Sequence, residues 1–261
     1  MNNKNEIIRI FNKNVRGKKP DLSSFNQNHD GKSGHWLEVM MNISPNAKNE
    51  PDLEGYEMKN ETTSGKTTFG DWSADEYIFK KVVSKKDPNP LGVKFSIDKS
   101  NFFRMFGKPN IKKKNRYAWS GECCPSYFGE ITSYGQRLDF DDEQNIVIFY
   151  SFSDDKRERK KFIMPAKLQK DNIVLARWYK DSLKKKLENK FNQKGFFICT
   201  TTYKIYDKIH FGGPINFDEW IILFKQGEVF FDSGMYEGNN RPYSQWRALN
   251  EFWYNRIEET Y

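Results

Sequence analysis

Residues 51–59 read PDLEGYEMK, and the fold turns on how that stretch is folded. On a β-strand, side chains two apart project to the same face. Glu57 and Lys59 then point together, while Tyr56 and Met58 turn to the opposite, core side. The spacing predicts a strand over Asp52–Asn60, with Asp52 at its start, across a bend at Gly55. Two hard carboxylates converging in this way make an oxygen site suited to Mg²⁺, which also keeps waters for chemistry. A neighbouring ammonium can orient an attacking water and offset charge on a phosphate.

The acid-x-Lys spacing also occurs at Asp30/Lys32, Asp154/Lys156, Glu158/Lys160 and Glu188/Lys190. Those four read as polar turns or helix surfaces; Glu57/Lys59 alone stands in an apolar strand context, behind Pro51-Asp52 and Gly55. From the residues alone, a second reading stays open: an exposed salt-bridge ladder on an edge strand.

Composition narrows the classes. The chain has 261 residues, 43 Lys+Arg against 35 Asp+Glu, and a net charge of +8, which points to a polyanionic partner. Aromatic residues make up 16%, with 22 Phe, 13 Tyr and 7 Trp, enough large side chains to build a core despite only 37% hydrophobic content. No apolar run reaches the ~18 residues of a membrane span. The amino terminus has no apolar stretch of secretory type, so a soluble, cytoplasmic protein is expected. Three cysteines (Cys123, Cys124, Cys199) and three histidines (His29, His35, His210) suggest neither a disulfide framework, a zinc site nor an HNH-type centre.

Along the chain, Lys4–Val15 has the spacing of an amphipathic helix, and Trp36–Ile43 that of a short, mostly buried one containing Glu38. A polar loop over Asp21–Gly34 separates them, and Glu61–Trp72 reads as a Thr-rich strand or loop. The stretch 75–140 gives no clear pattern. Beyond it, NIVIFYSF (145–152) reads as a strand with Lys161–Met164 as its hairpin partner, and Ile173–Asn192 as the longest helix. GFFICTTTYKIY (195–206) and GEVFFDSG (227–234) read as strands, and Glu219–Phe224 as a short helix. The mixture predicts an α/β fold.

The run GHWLEVMMNISPNAKNEPDLEGYEMK (34–59) resembles the active-site region of PD-(D/E)xK nucleases, and more narrowly the MvaI/BcnI type of restriction endonuclease, relatives of the MutH nickase. The Leu37-Glu38 pair, the fourteen-residue step from Glu38 to Asp52, and PDL-x-G-x-E-x-K carry the likeness, which extends more loosely to the carboxy-terminal third. The resemblance implies a central mixed β-sheet flanked by helices, with a catalytic lobe over 1–140, containing an irregular insert at about 75–140, and a sheet-completing DNA-recognition lobe over 141–261. It implies Mg²⁺-dependent hydrolysis of double-stranded DNA to 5′-phosphate and 3′-hydroxyl ends at a short pseudo-palindrome, by a monomer. It further implies a cognate DNA methyltransferase in the same system, not held in a stable complex. Carried over by position, Asp52 and Glu57 would be metal ligands, Lys59 the water-orienting lysine and Glu38 an auxiliary carboxylate. A MutH-like strand nickase and a non-catalytic DNA-binding protein are the alternatives.

Candidate DNA contacts follow from side-chain chemistry. Arg pairs bidentately with guanine, and Asn or Gln with adenine, in the major groove. Arg241, Arg247, Gln245 and Asn240 fall in the segment DSGMYEGNNRPYSQWRALN. In the resembled family a histidine and an arginine there read G·C pairs; Arg247 fits the arginine, whereas Asn240 stands where the histidine would be. Lys113 and Arg116, beside Tyr117 and Trp119, suit a phosphate-gripping loop.

Overall fold

The apolar spacing at the amino terminus does form a helix. In the computed structural model, α1 spans Asn3–Asn14 and buries Ile7, Ile10 and Phe11. The structure describes residues 3–23, 32–44, 48–79 and 97–261; His29 and most of the polar loop before α2 lie outside them. α2 (Lys32–Met40), β1 (Glu57–Lys59), β2 (Lys66–Asp71) and β3 (Glu76–Tyr77) follow. α3 (Lys99–Phe106), β4 (Lys108–Asn110), β5 (Arg116–Trp119), β6 (Tyr134–Phe140) and β7 (Ile146–Asp155) come next, then α4 (Lys160–Ile163), β8 (Ile173–Trp178) and α5 (Lys180–Phe191). The order ends with β9 (Phe196–Thr202), β10 (Ile205–Gly212), α6 (Phe217–Lys225), β11 (Val229–Ser233), β12 (Met235–Tyr236), β13 (Ser244–Leu249), α7 (Asn250–Tyr254) and β14 (Ile257–Thr260). The fold is mixed α/β.

The chain divides into two units. The first gathers Met1–Thr67, Lys185–Trp220 and Ala248–Tyr261; the second comprises Thr68–Lys184 and Ile221–Arg247. A single break at 140/141 differs from this, because Phe140 pairs with Ile146 inside the β6–β7 hairpin.

In the first unit the sheet order is β1-β9-β10-β14. β1 runs parallel to β9, whereas β9–β10 and β10–β14 are antiparallel, so this sheet is mixed. Tyr56 and Met58 join Ile7, Phe11, Leu37 and Phe197 in one apolar cluster. Alternation then sends Glu57 and Lys59 to the other face of β1, as the sequence predicts. The second unit holds antiparallel β3-β8-β7-β6 and an aromatic core in which Trp178 stands 5.4 Å from Trp246 and 5.0 Å from Phe231.

Three sequence expectations are corrected. Only Glu57–Lys59 of the expected 52–60 strand is strand, because Leu53–Tyr56 closes a tight turn. Lys161–Met164 is not the partner of β7: Lys160–Ile163 is a helical turn, and β7 pairs with β6 and β8. The expected long helix is β8 followed by α5. Leu175 and Trp178 mimic helical spacing with Leu183 and Leu187, but Asp75 accepts from Tyr179 N at 2.9 Å and from Ser182 Oγ at 2.8 Å, starting the helix only there. His210 lies on β10, with its ring nitrogens 2.9 Å from Thr200 Oγ1 and 2.8 Å from Thr260 Oγ1.

Gly195 sets where β1 begins. Its carbonyl accepts from Glu57 N at 3.0 Å, and its φ is +101°. A Cβ there would come within 2.2 Å of Gly212 O and 2.5 Å of Gly213 O, both immovable backbone atoms. Gly195→Ala is therefore expected to cost about 3 kcal/mol or more, seen as a fall in Tm of roughly 6–12 °C in thermal unfolding. An unchanged Tm would contradict this role for the glycine.

Candidate active site

The turn before β1 is what brings Asp52 back to the strand. Leu53 N donates to Tyr56 O at 3.0 Å and Tyr56 N to Leu53 O at 2.8 Å, with Glu54 at φ 52° and Gly55 at φ 84°. Two consecutive left-handed residues define a type I′ turn, which explains glycine at the second position. The reversed chain lets Asp52 Oδ2 accept from Met58 N at 2.9 Å, tying the carboxylate to the backbone between Glu57 and Lys59.

Glu57 and Lys59 are 3% and 7% exposed. Burying a charge is costly unless it is paired, and both are paired: Lys59 Nζ donates to Glu57 Oε1 at 2.8 Å. Lys190 Nζ, from α5, approaches the same oxygen at 2.9 Å. Glu57 Oε2 is buried and has no hydrogen-bond partner among the described residues. Lys59 Nζ also lies 5.0 Å from the Phe191 ring centroid and 5.5 Å from that of Trp253, so two aromatic faces add cation–π attraction.

The electrostatics follow from this crowding. Burial, then the charge of Glu57, pushes the Asp52 carboxyl up to about 6, against the opposing pull of Lys59, the Met58 N–H and Lys190. Burial also lowers the Lys59 ammonium, and Lys190 adds to that, while Glu57 and Asp52 oppose it. Glu38 is placed differently. Its carboxylate is 40% exposed on α2 and pairs with His35 Nδ1 at 3.2 Å. Glu38 lies on the outer side of this short helix, because Trp36 and Leu37 take the inward positions.

Sequence reasoning missed Lys190, set aside with Glu188 as a helix-surface pair. The signal was present in the 183/187/191 spacing, which buries Leu187 and Phe191 and leaves Lys190 beside that apolar face. It also missed Phe191 and Trp253, whose rings look like ordinary core residues until Lys59 Nζ is placed within 5.5 Å of both ring centroids.

The sequence profile of the LlaMI restriction endonuclease family matches residues 15–261. The chain belongs to this family. Type II restriction enzyme ScrFI of Lactococcus lactis subsp. cremoris is 51% identical over 270 residues, covering 98% of each chain. Restriction endonuclease MvaI, solved in complex with its cognate DNA substrate, shares the fold with a TM-score of 0.55 at 15% identity, over 99% of this chain and 95% of that one. Like its family, the chain is a restriction endonuclease, a site-specific deoxyribonuclease of the type II class. Among the described residues no helix is long and apolar enough to cross a membrane.

The residues expected to read DNA all fall in the second unit of this restriction endonuclease. Gln245 and Arg247 share one face of β13, where Trp246 is turned inward, and an Arg247 Nη2 donates to Gln245 Oε1. Arg247 Nη1 lies 3.4 Å from Asp232 Oδ2, and its buried Nε has no partner among the described residues. Arg241 is exposed, 3.0 Å from Asp71 Oδ2, and its guanidinium lies 4.9 Å from the Tyr243 ring centroid. Asn240 is exposed beside buried Asn239. Lys113 is exposed at the end of a 3₁₀ turn, and the Arg116 guanidinium stacks 3.4 Å from the Tyr236 ring centroid. Of these six residues, Gln245 and Arg247 are joined by a hydrogen bond.

A raised carboxyl pKa has a sign. Between its unfolded value near 3.8 and about 6, folded Asp52 holds its proton longer, so this group makes the protein less stable as pH rises through that window. Asp52→Asn removes the penalty. In metal-free protein its Tm should exceed that of the native chain by roughly 2–6 °C at pH 8, corresponding to ~1–2 kcal/mol after solvent screening, with the gap closing by about pH 4. A gap independent of pH would refute the electrostatic cause.

Proposed function

We propose that this restriction endonuclease hydrolyses phosphodiesters of double-stranded DNA in a Mg²⁺-dependent reaction at the Asp52–Glu57–Lys59 cluster, leaving 5′-phosphate and 3′-hydroxyl ends. One observation carries the reading. Two ammonium groups converge on a single oxygen of Glu57, while its other oxygen is buried and unpartnered beside a second carboxylate. An orphaned buried acceptor is a cost that a protein ordinarily removes. A hard divalent cation resolves it.

The donor set fits the ion. Among the described residues no group of three or more His, Cys, Asp and Glu is arranged as a metal cage. Mg²⁺ does not need one: it keeps several waters and is held through one or two carboxylates together with substrate phosphates. Asp52 and Glu57 would hold it. Bound there, it would supply a more acidic water and offset charge on the phosphate. Lys59 is the group that orients the nucleophile; its ammonium, with a lowered pKa, donates to the water at Nζ and is kept in place by Glu57 and two rings. Glu38, held by His35 on an exposed part of α2, is not needed in this scheme.

Target reading is assigned to the second unit, with Arg247 on guanine, Gln245 beside it, Arg241 and Asn240 at the rim, and Lys113 and Arg116 on phosphates. The site would be a short pseudo-palindrome with an odd central base pair, cut by a cytoplasmic monomer that nicks each strand in turn. A cognate DNA methyltransferase would protect the host without forming a stable complex. A strand-specific nickase is the competing reading, and plasmid products separate the two.

On supercoiled plasmid with Mg²⁺, discrete fragments should appear after a nicked-circle intermediate; products that stop at nicked circles would favour the nickase. Lys59→Ala should bind cognate duplex within about 3-fold of the native Kd yet cut at least ~10³-fold more slowly, as expected for a lost transition-state contact. Undiminished cleavage by Asp52→Ala would sink the site assignment. Arg247→Ala should lose about 10–100-fold in cognate over non-cognate discrimination, measured by competition binding. A uniform weakening on all sequences would make it a phosphate contact instead.

A further inference from the structure

Lys190 and Lys59 share one acceptor, and that choice is informative. Glu57 Oε1 takes Lys59 Nζ at 2.8 Å and Lys190 Nζ at 2.9 Å, while Oε2 takes neither. If Lys190 served only to neutralise a buried acid, Oε2 was the better acceptor, since an unpartnered buried oxygen carries a desolvation cost. Placing both cations on Oε1 leaves that cost in place. The side chain of Glu57 is 4% exposed, so bulk solvent does not reach that oxygen.

The position of Lys190 is set by its helix. Leu187 and Phe191 are buried on α5, and Lys190 stands next to them with a 20% exposed side chain, its stem along the apolar face and its ammonium on Glu57. A carboxylate turns easily about its last torsion when only one hydrogen bond holds it. Two donors on one oxygen, from β1 and from α5, fix its plane. The charges also balance without metal: Asp52 and Glu57 against Lys59 and Lys190.

We infer that Lys190 is a positioning residue for the hydrolytic reaction, clamping Glu57 Oε1 beside Lys59 so that Oε2 is the oxygen left for the metal. The inference rests on the reading of Asp52, Glu57 and Lys59 given above. Lys190 acts through Glu57 and touches no reacting atom.

The test uses Lys190→Met, which keeps the aliphatic stem, and Lys190→Arg, which keeps a donor. Single-turnover cleavage with saturating Mg²⁺ should fall about 10–100-fold in Lys190→Met with the DNA Kd within about 3-fold of native, and Lys190→Arg should recover part of the rate. Thermal unfolding of the metal-free protein supplies a readout independent of cleavage. Lys190→Met should lower Tm by roughly 2–5 °C in the native background and by less than about 1 °C in a Glu57→Gln background, where the shared acceptor is gone. Cleavage within about 3-fold of native, an arginine that recovers nothing, or equal Tm losses in both backgrounds would each overturn the inference. Lys59→Ala distinguishes the failures: full cleavage there defeats the site reading itself, whereas an inactive Lys59→Ala beside a fully active Lys190→Met defeats only the role of Lys190.

Discussion

Glu57 is a buried carboxylate, and much of the first unit around it is arranged to pair it. Burying a carboxylate without a partner is costly. Two ammonium groups within 2.9 Å offset that cost, and each must be delivered by an element with its own reason to be there. Lys59 arrives by strand alternation, two residues along β1. Lys190 arrives because Leu187 and Phe191 bury α5 beside the strand. The ammonium groups are themselves costly to bury, and the Phe191 and Trp253 rings offset part of that for Lys59. Charge, packing and register therefore depend on one another here.

β1 is only three residues long, so its position cannot come from its own hydrogen bonds. It is set from outside, by the parallel register Glu57↔Phe196 with β9, by Gly195 at the start of the pairing, and by the type I′ turn at Glu54-Gly55. Tyr56 and Met58 anchor the opposite face in the α1–α2 cluster. A shift of one residue would exchange the two faces, burying the charges among Ile7, Phe11 and Leu37 and turning Tyr56 and Met58 toward Lys190. Both alternatives are expensive, which is why so short a strand holds a fixed register.

The parts of this design that were legible in the sequence are those governed by local spacing. Alternation in Tyr56-Glu57-Met58-Lys59 predicted which side chains share a face, and Ile7, Ile10 and Phe11 predicted α1. What could not be read depends on distant partners. The join between β8 and α5 is made by Asp75, far back in the chain, which captures Tyr179 N and Ser182 Oγ; without that contact, Leu175 to Phe191 reads as one helix. The hairpin partner of β7 is β6, because Asp141 braces the connecting turn through Asn145 N, while the more obvious Lys161–Met164 run becomes a helical turn. Lys190 was hidden for the same reason: its meaning exists only once Glu57 is beside it.

The second unit solves the opposite problem, holding cations at a surface rather than an anion in a core. Trp246 turns into the aromatic cluster with Trp178 and Phe231, and alternation then forces Gln245 and Arg247 outward on β13. An outward arginine would sample many rotamers, but Arg247 is braced by Gln245 and by Asp232, which restricts the guanidinium before any ligand arrives. Arg116 is restrained by stacking on Tyr236. Restraint of this kind lowers the entropy lost on binding. It also sharpens discrimination, since a guanidinium held in one orientation cannot readily swing to satisfy a mismatched acceptor. On the proposed reading, the braced pair on β13 would contact bases, whereas Lys113, exposed and with a long flexible side chain, would supply sequence-independent attraction to phosphates.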